Sequence, residues 1–324
     1  MKAAVVEAFG RPPVYTDFAE PSAREGAVVI TVEASAVTNL TRGLMSGNHY
    51  ASKEIQLPAV AGVDGVGRLA DGRRVYTGAL APFGMMAERA LISPQGSVEL
   101  PEDVDSVTAA AVPNPGISAW MSLEYGAGIK PGQSVLVLGA TGVTGSIAVQ
   151  LAKSIFGAER VVVAGRNTER LDWLQTVGAD DAIAIGNDDL GASVGAMHAE
   201  QPFDAVLDYL WAEPAETVLA ALASSHPSAH FHATRFIQIG SMAGLTMNLP
   251  AGILRGNGIT ISGIGIGSVP PEVLMRTRTE ALPRLFAMIA AGKLALTTAA
   301  RPLAEVADAW TRAEPSGTRV VLTP

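Results

Sequence analysis

Two kinds of hydrophobic pattern divide the chain. Up to about residue 110 the apolar runs are short, at 27–32, 75–76 and 87–92, and turn signals such as Arg11-Pro12-Pro13, Ala70-Asp71-Gly72 and Ala81-Pro82 separate them. Short strands at this spacing predict a β-barrel or sandwich. Past the cluster Pro113-Asn114-Pro115-Gly116 continuous apolar strands alternate with helical periodicity. A buried strand is expected at 134–138. A helix is expected over 142–156, where Ile147, Ala148, Leu151, Ala152 and Ile155 share one face. Further strands are expected at 160–164, 182–185, 205–207, 236–240 and 259–266, with helices at 167–177 and 215–223. Runs that are apolar throughout fit strands covered on both faces of a parallel sheet, and the alternation predicts a doubly wound α/β fold. Helices at 280–291 and 305–313 and a strand at 319–322 then return the chain to its first part. The expected domains are residues 1–115 with 267–324, and residues 116–266.

Composition narrows the chemistry. With 324 residues, 48% hydrophobic and 17% charged, the chain has material for two cores and is no disordered polyelectrolyte. A net charge of −8, with 23 Lys and Arg scattered along the chain, argues against a nucleic-acid partner. There are 0 Cys, which removes disulfides, thiol nucleophiles and cysteine-ligated zinc. His226, His230 and His232 suggest a metal cluster at first sight, but Pro227 and the Ser/Ala filling around them read as a solvated loop, so no metal site is expected. The apolar run after Lys2 is too short for a secretory signal. No run reaches the roughly 20 residues that span a bilayer, so a cytoplasmic protein without a membrane partner is expected.

The strongest motif is Gly139-Ala140-Thr141-Gly142-Val143-Thr144-Gly145, directly after one predicted strand and opening a helix. That context is the one a dinucleotide fingerprint requires. Gly142 lets a pyrophosphate approach the backbone, Gly145 lets the helix pack on the strand, and the helix N-terminus offers its N–H groups to the phosphates. At the end of the next strand, where an NAD site carries Asp or Glu for the ribose, this chain reads Gly165-Arg166-Asn167. An Arg fork in place of the acid suits a 2′-phosphate, and Gly165 would leave room for it, so NADPH is the expected cofactor. Gly240 and Ser241, at another predicted strand end, are expected to border it. Asp208 and Tyr209 also lie at a strand end, where a turn or helix-cap role is the plainer alternative.

Taken in order, these residues and several others resemble the zinc-independent, quinone-oxidoreductase-like medium-chain dehydrogenase/reductases. The resemblance runs from Met1-Lys2-Ala3 through Ser35-Ala36-Val37-Thr38-Asn39, the stretch 57–67 with Pro58, Gly62, Asp64 and Gly67, and Gly84-Met85-Met86-Ala87-Glu88. It continues through 109–120, with Ser118 in place of the family's Thr, then Lys130-Pro131-Gly132 ahead of the glycine loop, and Ala291-Gly292-Lys293-Leu294 near the end. It implies a GroES-like β-barrel domain plus a Rossmann doubly wound parallel sheet, with an active site in the cleft between them. The implied activity is NADPH-dependent, metal-free reduction of a quinone or an α,β-unsaturated carbonyl by hydride transfer. It also implies a homodimer through the last sheet strand, here from Ile259 to Ile266. The alternative is an NADP(H)-binding redox sensor or structural protein with little catalysis. A metal-free alcohol dehydrogenase ranks lower, because no Tyr-x-x-x-Lys pair is available to polarise an alkoxide.

The implied cofactor contacts are Asn39, Ser118, Gly139, Ala140, Thr141, Gly142, Val143, Thr144, Gly165, Arg166, Asn167, Gly240 and Ser241. For the chemistry, Asn39 matches a residue that faces the nicotinamide. Tyr50 matches a tyrosine near the substrate and is the candidate proton donor, with a packed loop tyrosine as the alternative. His49 is a candidate relay or a loop cap. Arg42 stands where the family often has Asp, and reads either as a substrate-side contact or as a surface charge.

Overall fold

The computed structural model describes residues 1–224 and 231–324, apart from the side chains of Tyr50 and Ser224. The chain divides into one unit of Pro115–Ala281 and another of Met1–Asn114 with Leu282–Pro324.

In the first of these the apolar runs become six strands: β1 (Ser134–Leu138), β2 (Arg160–Gly165), β3 (Asp181–Ala184), β4 (Ala205–Asp208), β5 (Ala233–Gln238) and β6 (Gly258–Gly263). They pair in the order β3-β2-β1-β4-β5-β6, and every neighbouring pair is parallel. β1 and β4 are buried along their whole length, which explains why both read as unbroken apolar runs. The connecting helices include α1 (Val143–Ser154), α2 (Thr168–Thr176), α3 (Leu190–Glu200) and α4 (Ala212–Ser224). Leu136, Val162, Phe203, Val206, Val218 and Phe236 meet in one core cluster that joins strands to α4. The strand order reverses between β1 and β4. Their carboxyl ends therefore border the crevice where ligands of doubly wound sheets bind.

Three differences from the sequence expectation have local causes. α3 has no visible apolar stripe, because Gly191, Ala192, Gly195 and Ala196 thin out its periodicity and only Leu190 and Val194 are buried. β6 ends at Gly263, so Ile264 and Ile266 lie beyond it. The return to the other unit comes at Leu282, not at residue 267. The intervening segment stays with the parallel sheet's unit: Val273 is buried, and Arg276 pairs with Glu124 at 3.2 Å.

The other unit is built mainly from antiparallel strands. Lys2–Val6 runs between Val14–Asp17 and Ala59–Val60 in a three-stranded sheet. The larger sheet orders Thr297–Pro302, Thr318–Thr323, Val28–Ala36, Asp64–Arg68, Arg74–Gly78 and Val98–Glu99, with Arg89–Ile92 also paired to Val28–Ala36. Val321 and Leu322 pair with Ala36 and Ser35, so the C-terminal strand closes onto the N-terminal part of the chain. Thr297–Pro302, an unpredicted strand of the sequence Thr-Thr-Ala-Ala-Arg-Pro, lies parallel to Thr318–Thr323.

Candidate functional site

The loop after β1 has the form its glycines imply. Gly139 turns the chain with φ +87°, a conformation that other residues rarely adopt. The Gly139 and Ala140 N–H groups both donate to the Ala164 carbonyl, at 2.9 and 3.1 Å, and tie the loop to the end of β2. Gly145 allows the helix to sit down on the strand: a Cβ there would lie 2.7 Å from Ala140 Cα and from the Gly139 carbonyl oxygen. Gly142, the residue before α1, differs. Its nearest neighbour to a Cβ would be the Gly139 oxygen at 3.5 Å, so the protein leaves that space open. No side chain caps the N-terminus of α1. The first-turn N–H groups are therefore left to a ligand or solvent. An open approach at Gly142, uncapped N–H groups and the positive end of the helix dipole together fit a dinucleotide pyrophosphate.

The end of β2 refines the expectation. The space a Cβ at Gly165 would need is held by Thr141, whose Cγ2 would lie 2.5 Å away, so this glycine serves the packing of loop against strand. Arg166 is exposed and makes no ion pair or hydrogen bond with the described residues, which leaves its guanidinium available to a phosphate. Asn167 caps α2, its side-chain oxygen accepting from the Arg170 N–H at 3.0 Å. Asn167 stands among the expected cofactor contacts, and its side-chain oxygen is engaged in this cap.

The turn after β4 is the other notable structure at this edge. The Asp208 carboxylate is fully buried and accepts N–H bonds from Leu210 at 2.8 Å and Trp211 at 3.0 Å. Burial pushes its pKa up to about 6, against the partial opposition of those two N–H donors. Trp211 and Ala212 follow with φ of +61° and +50°, a backbone state strained for side-chain-bearing residues. Nothing in the residue types of that segment announces the strain, and sequence reasoning missed it. Asp208 is thus the organiser of a turn. Gly240 packs against that turn: its N–H donates to the Asp208 carbonyl at 3.1 Å, and a Cβ would lie 2.7 Å from the Tyr209 oxygen. Ser241, the next residue, is exposed.

The remaining candidates fall in both units. Ser118 is half-buried on the helix Pro113–Met121, its carbonyl accepting from the Ser122 hydroxyl at 2.7 Å. In the other unit Asn39 is the exposed first residue of the helix Asn39–Ser46, which Thr38 caps. Arg42 is half-buried and donates to the Ala309 carbonyl at 3.2 Å, a structural bond within its own unit rather than a bare surface charge. His49 caps the turn Tyr50–Glu54, its Nδ1 accepting from the Ala51 N–H at 3.2 Å. Tyr50 begins that turn, and its side chain lies outside the described residues. So do His226 and His230; His232 sits 3.1 Å from the Phe203 carbonyl and 3.7 Å from the Asp204 carboxylate. Among the described residues no group of three or more His, Cys, Asp or Glu is placed to hold a metal, and no helix is long and apolar enough to cross a membrane.

Comparison with known proteins gives consistent results. Residues 143–279 match a family described as zinc-binding dehydrogenase. The chain is 26% identical to a probable NADPH-dependent quinone reductase of Emericella nidulans, over 100% of both chains. It is 32% identical to the 2-methylene-furan-3-one reductase of Solanum lycopersicum, over 52% of this chain and 47% of that one. Among solved structures it resembles the quinone oxidoreductase of Thermus thermophilus, studied also as its NADPH complex, with 26% identity, a TM-score of 0.78 and 100% of both chains covered.

Proposed function

We propose that this chain, which is similar over its full length to a probable NADPH-dependent quinone reductase, reduces a quinone or an α,β-unsaturated carbonyl with NADPH. The observation that carries this is the loop Gly139–Gly145, with an open Gly142 face, a helix N-terminus without a side-chain cap and, one strand away, an exposed Arg166 that is unpaired among the described residues. NADPH, when bound, supplies the hydride that adds to the electron-poor carbon of the acceptor. Within the chain, the N–H groups around Gly142 hold the pyrophosphate and Arg166 selects the 2′-phosphate.

Reduction by hydride leaves negative charge on the acceptor oxygen, which must gain a proton to complete the two-electron step. Tyr50 is proposed to give it, with Asn39 orienting the reactants. His49, whose Nδ1 is committed to the Ala51 N–H, holds the turn that carries Tyr50. Activity without a metal belongs to the same proposal and is supported by the absence of cysteine. So does a cytoplasmic homodimer joined through β6, an edge strand that pairs only with β5 among the described residues and carries Ile259 and Ile261.

The test is NADPH oxidation against a panel of quinones, enones and enals. Turnover with at least one acceptor, unaffected by dialysis against a chelator, is expected. Tight NADPH binding without oxidation by any acceptor would instead mark a cofactor-sensing protein.

A further inference from the structure

Asp208 ends β4, where the strand order reverses, and stands beside the loop that fits the cofactor phosphates. Its Cα pairs across the sheet with that of Leu138. Gly139, the next residue, begins that loop with φ +87°. The turn after Asp208 touches the loop directly: a Cβ on Gly139 would lie 3.0 Å from Leu210 Cδ2 and 3.3 Å from Tyr209 Cβ. The Asp208 side chain is fully buried, and its carboxylate accepts only N–H groups of its own turn among the described residues, those of Leu210 and Trp211. No cation is packed against it to offset the charge. β1 and the loop 139–145 carry no charged residue, and neither does the segment 241–250 after β5. β5 carries only Arg235, whose register partner is Ala205 at the far end of β4. In α4, Glu213 accepts from the Thr217 hydroxyl and Glu216 from the Asn248 N–H. Arg166, beyond β2, is exposed. The adjacent Tyr209 phenol is kept neutral, because burial raises its pKa. The charge on Asp208 is thus held by two N–H dipoles alone, and burial already lifts its pKa to about 6.

We propose that cofactor binding is linked to protonation of Asp208, so that NADPH binds the protein with a neutral Asp208 more tightly and its affinity falls as pH rises. The inference rests on the NADPH reading above, because it needs pyrophosphate charge at the neighbouring loop. No contact between Asp208 and the cofactor is required. Like charges raise one another's proton affinity through space, and a buried group is only weakly screened by salt. At an effective dielectric of about 20, one unit charge about 12–24 Å away moves a titration by about half to one pH unit. The contact of the Asp208 turn with Gly139 keeps the loop within that range. The sign follows from which state holds the proton longer. The free protein loses it near pH 6 and the complex at a higher pH, so affinity declines between the two and levels off above both.

The test counts protons taken up on binding, by calorimetry of the full chain at pH 6.5 in two buffers of different ionisation enthalpy. NADH is the first probe, because it has the pyrophosphate but no group that titrates between pH 6 and 8.5. Wild type should take up about 0.3–0.5 proton per NADH bound, and Asp208→Asn none. With NADPH the 2′-phosphate itself titrates near pH 6, but equally for both proteins. The difference between them should therefore again be about 0.3–0.5 proton. Wild-type affinity for NADH should weaken about two- to fivefold from pH 6 to pH 8.5, while that of the variant stays level. At pH 8.5 the variant should thus be the tighter binder. Absence of uptake by wild type with NADH would overturn the proposal, whether or not the variant folds. So would equal uptake by both proteins, which assigns the proton to another group. Failure of wild type to bind both nucleotides would instead overturn the cofactor reading, independently of Asp208.

Discussion

Two turns leave neighbouring parallel strands at the same sheet edge and solve the problem of a sharp exit differently. After β1 the chain uses Gly139, Gly142 and Gly145. One glycine adopts a positive φ, one leaves a face open, and one admits close packing. After β4 there is no glycine. A buried carboxylate gathers two N–H groups, and Trp211 and Ala212 are held at positive φ. The first turn writes its geometry in residue types and has low intrinsic strain. The second writes it in a hydrogen-bonded clamp and stores strain, which stays in place because the surroundings over-determine it.

The largest expected effect separates two glycines of the first turn. In Gly145→Ala the new methyl meets the backbone of Gly139 and Ala140 at 2.7 Å, so the helix or the loop must shift. Overpacking of this kind costs about 1–3 kcal/mol or more, and NADPH binding should fall with it. Gly142→Ala meets nothing closer than 3.5 Å and has an ordinary φ of −77°. Its stability without ligand should stay within about 0.5 kcal/mol of wild type, while NADPH affinity drops by about tenfold or more through blocked pyrophosphate approach. Melting curves with and without NADPH check both. Equal loss of stability in the two variants would remove the distinction between packing and approach.

The second turn should show itself in pH dependence. Asp208 has a folded pKa of about 6 against an ordinary 3.8, so the folded protein holds this proton more tightly than the unfolded chain. As pH rises from about 4 to about 6 the unfolded chain loses the proton first, and stability falls over that window. The fall is bounded at about 2–3 kcal/mol by linkage. Asp208→Asn keeps an acceptor for the N–H groups but does not titrate. The stability of wild type minus that of the variant should therefore decline between pH 4 and 7 and be flat outside that window. A difference that is level across the whole range would mean that the carboxylate is better solvated than its burial indicates.

How far the sequence could be read follows the same division. The parallel strands, α1 and the loop between β1 and α1 were visible because continuous apolar runs and glycine spacing encode burial and close approach directly. α3 was not, since small residues erase its stripe. The domain return at Leu282 was not, because it depends on tertiary contacts such as Arg276 with Glu124 rather than on any turn signal. Asn167 was read toward the cofactor and caps a helix, while His49 takes the loop-cap role that stood beside the relay in its reading; capping is a use that polar residues at such positions share with binding. The clamp after β4 had no signal beyond Asp208 itself, because a positive φ at Trp211 is imposed by neighbours.

A smaller effect concerns Arg166, the charged counterpart of the first turn. In Arg166→Ala the preference for NADPH over NADH should shrink by about tenfold, the worth of one charge-assisted hydrogen bond to phosphate. Because the side chain is exposed and makes no bond with the described residues, the melting temperature without ligand should not change. Titration of both cofactors decides it. An unaltered ratio would move 2′-phosphate recognition to another residue.

The smallest effect probes the strain itself. At Ala212 a φ of +50° disfavours any side chain by about 1–2 kcal/mol. Ala212→Gly removes that penalty, but glycine gives the unfolded chain more freedom, which offsets about 0.5–1 kcal/mol. The two terms nearly cancel with the balance toward stability, so the variant should match wild type or gain up to about 1 kcal/mol in denaturant unfolding. At Trp211 the backbone trade is the same, with φ +61°, but the side chain packs against the core cluster of the parallel sheet. Trp211→Gly should therefore lose stability by about 2 kcal/mol or more, because apolar contact outweighs relief of backbone strain. Opposite signs at two adjacent residues of similar φ would show that the tryptophan is retained for its packing and the alanine only tolerated. A loss of more than about 1 kcal/mol in Ala212→Gly would contradict a strained turn, since an alanine in an unstrained helical start is the better residue by about that amount.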